Sequence, residues 1–199
     1  MTQPCDLSAS EARRLIGSGA LSPVELTLSC LARIETLNPT LNAIVTLVED
    51  RALEEAELAA KAVVRGDSLG LLHGLPVAIK DLHATEGVVT TYGSSFYRDH
   101  VPGVDAGIVT RIRSAGGIVI GKTNIPEMSI GANTINRLFG ATGNPYAPDL
   151  TCGGSSGGSA VAVATGMASL ATGSDHGGSL RIPACFSGVV GHRATPGTV

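Results

Sequence analysis

Glycine is spread unevenly along this chain. It accounts for 26 of 199 residues, and an unusual share of them follows Gly131. Two tracts stand out there, Gly153-Gly-Ser-Ser-Gly-Gly-Ser159 and Gly173-Ser-Asp-His-Gly-Gly-Ser179. Glycine loses more conformational freedom on folding than any other residue, so such clustering is unfavourable unless the backbone must take shapes that other residues resist. A chain of this kind has main chain shaped closely around something. Paired glycines let successive N–H groups turn toward one point and form a nest that suits an anion. Ser179 ends such a nest, where donors would meet the charge that develops when a hydroxyl attacks an acyl carbonyl. Taken alone, the tract reads equally well as a glycine turn with an incidental serine.

Composition limits the function classes. Hydrophobic residues at 43% and charged residues at 16% describe a packed globular chain, long enough for one large domain or two small ones. A net charge of −3 with no Lys/Arg block argues against nucleic acid or an anionic membrane as the direct partner. Aromatics at 3% provide no stacking platform for single strands. Cys5, Cys30, Cys152 and Cys185 form no C-x-x-C pair and read as free thiols of a reducing compartment. The stretch MTQPCDLSASEARRL lacks the basic start and apolar run of a signal peptide. Ala160 to Ala171 is too short and too rich in Gly, Ser and Thr to span a bilayer. A cytoplasmic location is the expectation.

The first 66 residues read as helices. Ser8-Ala-Ser-Glu11 and Ser22-Pro-Val-Glu25 have the form of capping boxes, the second with proline at the first helical position. Leu26, Cys30, Ile34 and Leu37 then share one face. A third helix is predicted from about Asp50, with Ala52, Ala56, Ala59 and Val63 on one face and Gly66 to end it. From residue 74 the pattern changes. Leu75-Pro-Val-Ala-Ile79 reads as a buried strand ending at Lys80, Asp105 as the cap of a helix closed by Gly116, and Ile118-Val-Ile120 as a second buried strand. Strand, helix, strand is a βαβ unit, which predicts an α/β domain with a mixed or parallel sheet. A small-residue helix is expected from Ser155–Ser156 to about Leu170. The stretch after Val189 ends in mid-pattern.

Two motif matches are refused. Gly116-Gly-Ile-Val-Ile-Gly121-Lys122-Thr123 has the letters of a phosphate-binding loop, but that loop needs a strand before the first glycine and a helix opening at the lysine. Here the order is reversed, and Pro126 would disrupt the helix's first turns. Gly153-Gly-Ser155-Ser-Gly157 matches the nucleophile elbow, which expects a strand immediately before it. The preceding Asn144-Pro-Tyr-Ala-Pro-Asp-Leu-Thr-Cys152 carries two prolines and is no strand. Asp175 and His192 do follow in the order of an ordinary Ser-His-Asp hydrolase, which stands as a minor alternative.

A serine hydroxyl is a weak nucleophile until a base takes its proton. None of the five histidines sits in a motif that marks it as that base. Lys80 is the other candidate: burial disfavours the charged form of a lysine and leaves neutral amine to act. Alone, a lysine at a strand end is more often a surface residue. The combination is what changes the reading. Gly74-Leu-Pro-Val-Ala-Ile-Lys80-Asp81, Gly121-Lys-Thr-Asn-Ile-Pro-Glu-Met128, Gly153-Gly-Ser-Ser-Gly-Gly-Ser159 and Asp175-His-Gly-Gly-Ser-Leu-Arg181 together resemble the amidase signature hydrolases, with Ser155 and Ser179 24 positions apart. The likeness covers essentially the whole chain.

The resemblance implies an α/β amidase signature fold: a mixed sheet covered by helices on both faces, preceded by a helical segment, and incomplete in this chain. Residues 1–199 would be the N-terminal part of one domain, with 1–66 the helical segment and 67–199 the start of the catalytic core. It implies a hydrolase of carbon–nitrogen bonds in linear amides. Ser179 would be the nucleophile, Ser155 the relay serine in a cis peptide after Gly154, and Lys80 the base, passing through an acyl-enzyme. His176, Gly177, Gly178 and Ser179 would supply oxyanion-hole N–H groups, with Gly154, Asp175 and Arg181 as structural support. Ser129 and Gly131 are implied substrate-binding positions, and Thr91 and Tyr92 join them as pocket candidates. Neither metal nor organic cofactor is required. The expected partner is a small amide, with a homodimer the assembly considered for the full-length protein.

His176 stands where the family usually carries a small polar residue, Cys185-Phe-Ser187 exchanges a serine and a cysteine, and Cys152 replaces a frequent proline. None touches the three catalytic positions. The family's domain runs well beyond residue 199, so unpaired strand edges and exposed apolar faces are expected to limit the activity of the chain in isolation. The other reading the motifs allow is the amidotransferase subunit that works with partner subunits on misacylated tRNA. That subunit commonly has glutamine after the arginine of the second tract, where this chain has Ile182, which favours a free-standing amidase. A non-catalytic or inactive descendant is a third reading, against which the intact triad argues.

Overall fold

The computed structural model describes residues 3–198; residues 1, 2 and 199, at the ends of the two terminal stretches, lie outside it. Helices α1 (Ala9–Gly17) and α2 (Pro23–Leu41) open the fold. Both capping boxes were expected, but only the second closes. Ser22 and Glu25 cap α2 reciprocally, with Pro23 at its first turn. At α1, Ser8 accepts from the Glu11 N–H while the Glu11 carboxylate turns to Arg14 instead. Leu26, Cys30 and Ile34 of α2 are buried, and Leu37 packs against the same core. Helix α2 ends at Asn42, which takes a left-handed φ of 51°.

The helical reading of the first 66 residues needs one correction. Ile44–Leu47 is a strand, β1, paired antiparallel with the later β3, Ile118–Thr123. Its β-branched Ile44-Val45-Thr46 run suits a strand, and Asn38 Oδ1 accepts from the Ala43 and Ile44 N–H groups to turn the chain onto that edge. Helix α3 (Glu49–Arg65) follows as expected and stops at Gly66, whose φ is 72°.

β2 (Pro76–Lys80), α4 (Gly107–Ser114) and β3 form the βαβ unit, with β2 and β3 parallel. Asp105 does not cap α4. Ala106 holds that position, while the Asp105 carboxylate accepts from Glu86 N–H and pairs with Arg113. β4 (Ile135–Asn136) and β5 (Gly140–Ala141) make a small antiparallel pair of their own. Helix α5 runs over Gly157–Ala164, starting later and ending sooner than the small-residue pattern suggested. Gly166, at φ 73°, ends it and turns the chain into β6 (Leu170–Ala171), parallel to β2. Helix α6 (Arg181–Ser187) closes the described fold.

The sheet order is β1-β3-β2-β6. The chain leaves β2 for β3 on one side and later places β6 on the other, so strand order reverses at β2. In open α/β sheets, sites form outside the carboxyl ends of strands at such a reversal, and Lys80 is the carboxyl end of β2. Val77, Ile79 and Val119 pack under Val109 and Ile112 of α4 on one face. Ala78, Ile118 and Ile120 join Val161 and Ala162 of α5 and the α1–α3 helices in the larger core on the other. That core draws on both the 1–66 segment and the residues after it. All four cysteines are free, three of them buried. Among the described residues no helix is long and apolar enough to cross a membrane.

Helix α5 seats itself against β3 through glycine. A Cβ on Gly158 would lie 2.5 Å from the Asn124 nitrogen and 2.7 Å from the Ala43 carbonyl oxygen, both rigid backbone. Gly158→Ala is therefore expected to cost about 1–3 kcal/mol of stability, as overpacking of a close-packed core does. Urea unfolding measures it; an unchanged midpoint would show that α5 can move off the sheet freely.

Candidate active site

Successive side chains of a strand point to opposite faces. Val77 and Ile79 face α4, so Lys80 follows Ala78 toward α5. Its side chain is completely buried, and its backbone N–H donates to Thr172 Oγ1 at 2.8 Å just beyond β6. The amine reaches three hydroxyls: Ser155 Oγ at 2.8 Å, Ser156 Oγ at 2.9 Å and Ser174 Oγ at 2.8 Å. Burial pulls Lys80 down to about 7, against a smaller opposing pull from the Asp175 carboxylate. Near neutral pH a large share of this amine is uncharged.

Ser155 and Ser156 lie at the head of α5, both buried, and the Gly154–Ser155 peptide is cis. Gly154 has no room for a side chain, since a Cβ would come within 2.9 Å of Asn133 backbone. The two glycine-serine tracts meet directly: Ser156 N–H donates to the Ser179 carbonyl at 2.9 Å. No hydrogen bond joins the hydroxyls of Ser155 and Ser179 among the described residues. Both border one cavity of about 770 Å³, together with Ser174, His176 and Gly177.

Asp175 organises the second tract. Its carboxylate accepts from the Gly178 N–H at 2.8 Å and from the Leu180 and Arg181 N–H groups, and the Arg181 guanidinium grips both oxygens at 2.9 and 3.0 Å. Arg181 and these backbone donors hold its carboxyl far below the usual carboxylate range. The Gly178 N–H is thereby engaged by Asp175, whereas the N–H groups of His176, Gly177 and Ser179 have no partner among the described residues. Arg193 adds a further donor, to the Asp175 carbonyl.

Ser129 and Gly131 both border the cavity. Met128 and Ser129 take left-handed φ angles of 52° and 59°, and the Ser129 hydroxyl is buried without a partner. Thr91 and Tyr92 do not reach the cavity. Thr91 is buried and donates through its N–H and its hydroxyl to Asp81. Tyr92 stacks edge-on against Tyr97, with ring centres 5.1 Å apart.

Four groups near the site escaped the reading of the sequence. Ser156 and Ser174 are the other two partners of Lys80; the hydroxyls flanking Ser155 and Asp175 were the available signal. Lys122, refused as a phosphate-loop lysine, lies in β3, which runs on past the expected Ile118–Ile120 to Thr123, and is a second fully buried amine. It donates to Thr85 Oγ1, Thr90 Oγ1 and the His83 carbonyl and sits 3.6 Å from Asp81. Burial lowers it to about 8, with Asp81 opposing. His83 is pushed down to about 4 by burial and by the two lysines, so it is neutral at pH 7. Among the described residues no cluster of His, Cys, Asp or Glu side chains is placed to hold a metal ion.

Comparison with known proteins gives a consistent result. Residues 25–199 match the family model described as Amidase. A glutamyl-tRNA(Gln) amidotransferase subunit of Marinomonas sp. (strain MWYL1) is 46% identical over 179 residues, which is 90% of this chain and 37% of that protein. The crystal structure of an amidase superposes with a TM-score of 0.84 at 38% identity, covering 89% of this chain and 41% of the other. A bacterial aryl acylamidase of the amidase signature enzymes does so at 0.85 and 37% identity, covering 89% and 37%. The chain thus spans about two-fifths of the length of the curated relatives it matches.

The buried amine leaves a signature in stability. Lys80 titrates near 7 in the fold and near 10.5 when unfolded. Between those values the unfolded chain binds more protons, so stability rises with pH across that window and is lowest below it. Lys80→Met should flatten the rise, leaving the share that Lys122 contributes above about 8. Urea unfolding between pH 6 and 10 tests this, and equal slopes for wild type and variant would contradict the burial of a neutral amine.

Proposed function

This chain belongs to the Amidase family, and from that membership we propose that the protein cleaves the carbon–nitrogen bond of a linear amide through an acyl-enzyme on Ser179. The observation that carries the reading is the contact of 2.8 Å between the Lys80 amine, fully buried and lowered by that burial to about 7, and Ser155 Oγ. Neutral Lys80 takes the proton of Ser155, and Ser155 takes that of Ser179 as Ser179 Oγ bonds to the amide carbon. The carbonyl oxygen gains negative charge beside the free N–H groups of Gly177, Ser179 and His176. One such donor is worth about 3–4 kcal/mol in the transition state. As the carbon–nitrogen bond breaks, the proton held by Lys80 returns through Ser155 to the leaving amine. Water then adds to the acyl carbon by the same relay and releases the acid. Asp175 and Arg181 hold the donor loop, and Ser129 and Gly131, which border the cavity, would meet the substrate there.

A second reading is favoured by one observation: the curated relatives carry the name of a glutamyl-tRNA(Gln) amidotransferase subunit. Such a subunit would run the same acyl-enzyme chemistry with partner subunits that use the released ammonia. Ile182, which borders the cavity, supports the free-standing amidase. Co-purification with stoichiometric partner subunits, and ammonia release that depends on them, would decide for the amidotransferase.

A fluorophosphonate probe reads the chemistry without knowledge of the substrate. Labelling of the protein should depend on Ser179, vanish in Ser179→Ala, and rise with pH through a midpoint near 7 as Lys80 loses its proton. Lys80→Ala should lower the rate by about a hundredfold or more and leave a residue that grows only at high pH. Undiminished labelling of Ser179→Ala would end the assignment.

A further inference from the structure

A neutral amine has two N–H bonds and one lone pair, and only the lone pair can take a proton. Lys80 Nζ has three oxygen neighbours within 2.9 Å, so the amine's direction depends on which of them accept from it. Ser156 Oγ has little choice. It lies 3.3 Å from the Ser174 N–H, which donates to it, and 3.4 Å from the Ser174 carbonyl, toward which its own proton is directed. One lone pair is left, and it faces Lys80. Ser174 borders the cavity, where solvent or substrate can accept the proton of its hydroxyl and leave an oxygen lone pair for the amine. Ser155 is the remaining neighbour.

We propose that Ser174 is a positioning residue which, together with Ser156, takes both N–H bonds of the Lys80 amine and leaves its lone pair facing Ser155. This rests on the reading of Lys80 as the base. The two hydroxyls come from different tracts, Ser156 from the head of α5 and Ser174 from the loop after β6, so the amine is aimed only when the tracts are docked. The same oxygens accept from the ammonium once the proton has arrived, so the cradle also stabilises the charged form without a carboxylate in contact. The charged or titratable groups that bear on Lys80 are Asp175, on the loop before α6, and His83, on the loop after β2; Lys122 acts on the same imidazole. Thr172 and the head of α5 contribute uncharged hydroxyls.

The chain has three lysines, Lys61, Lys80 and Lys122, so ¹³Cε-lysine NMR resolves Lys80 directly. Removing an acceptor disfavours the ammonium. Ser174→Ala and Ser156→Ala should each lower the Lys80 midpoint by about one pH unit, while Ser174→Thr, which keeps the hydroxyl, should leave it unmoved. Probe labelling of Ser179, measured above every midpoint, should fall about tenfold in Ser174→Ala and recover in Ser174→Thr. Should Ser174→Ala unfold, Ser174→Cys keeps the volume, accepts poorly and should show the same downward shift. An unmoved midpoint in folded Ser174→Ala and Ser156→Ala, or an equal change in Ser174→Thr, overturns the proposal. Midpoints that move as expected, with wild-type labelling that ignores the Lys80 titration, would support the cradle and remove the general-base role instead.

Discussion

An amine buried without a carboxylate in contact is the constraint from which the rest of this site follows. A carboxylate at hydrogen-bond distance would favour the ammonium and return Lys80 toward its ordinary value. Hydroxyls satisfy the same donors with far less electrostatic pull. Lys122, buried as deeply, shows the contrast: it has Asp81 beside it as well as two threonine hydroxyls and a carbonyl, and it is held nearer its usual value. One sheet therefore carries two buried lysines with different work. Lys122 ties the loop after β2, through His83, Thr85 and Thr90, to the middle of the sheet, and Lys80 is left able to give up its proton.

Keeping three hydroxyls around one amine requires close approach of backbone from separate parts of the chain, and that is what the glycine tracts provide. Gly158 lets the head of α5 come down on Asn124 and Ala43, Gly154 passes against Asn133, and the Ser156 N–H then reaches the Ser179 carbonyl. The second tract is stiffened from inside by Asp175, whose carboxylate gathers backbone N–H groups and the Arg181 guanidinium. With the Gly178 N–H gathered in, the N–H groups on either side of it, those of Gly177 and Ser179, have no partner among the described residues, and both residues border the cavity.

Much of this was legible in the chain itself. Periodicity and caps located α2 and α3, and the apolar run ending in Lys80 located β2, because these are local signals written in consecutive residues. The motif spacing marked Lys80, Ser155 and Ser179 as a group. What the sequence hid was non-local. β1 was masked by its helical neighbours despite its β-branched residues, because a strand at the edge of a sheet is decided by its partner. Asp105 has the chemistry of a cap, yet the Glu86 N–H, 19 residues away, and Arg113, on the last turn of α4, claim it. Ser156 and Ser174 carry no pattern that separates them from any serine beside a glycine; only the path of Lys80 across the sheet selects them. Thr91 and Tyr92 looked like pocket residues until Asp81 and the Tyr97 ring took them.

The site divides into parts of different rigidity. The buried amine and its hydroxyl partners sit on β2, the head of α5 and the loop leading into Asp175, where Gly154 and Gly158 pass close to backbone. Another part of the cavity lining is the segment around Met128 to Gly131, with left-handed residues in succession and with Met128 and Ile130 exposed. Side chains on such a segment can be exchanged without moving the sheet or the helix head, because nothing in the core leans on them. On the proposed function, a framework arranged this way can keep one reaction while its substrate changes. That accounts for the match of this chain to an aryl acylamidase as well as to part of a tRNA-directed amidotransferase. On the proposed reading, substrate choice falls to the cavity rim, around residues 128–131 and Ile182, rather than to the buried amine or its hydroxyls.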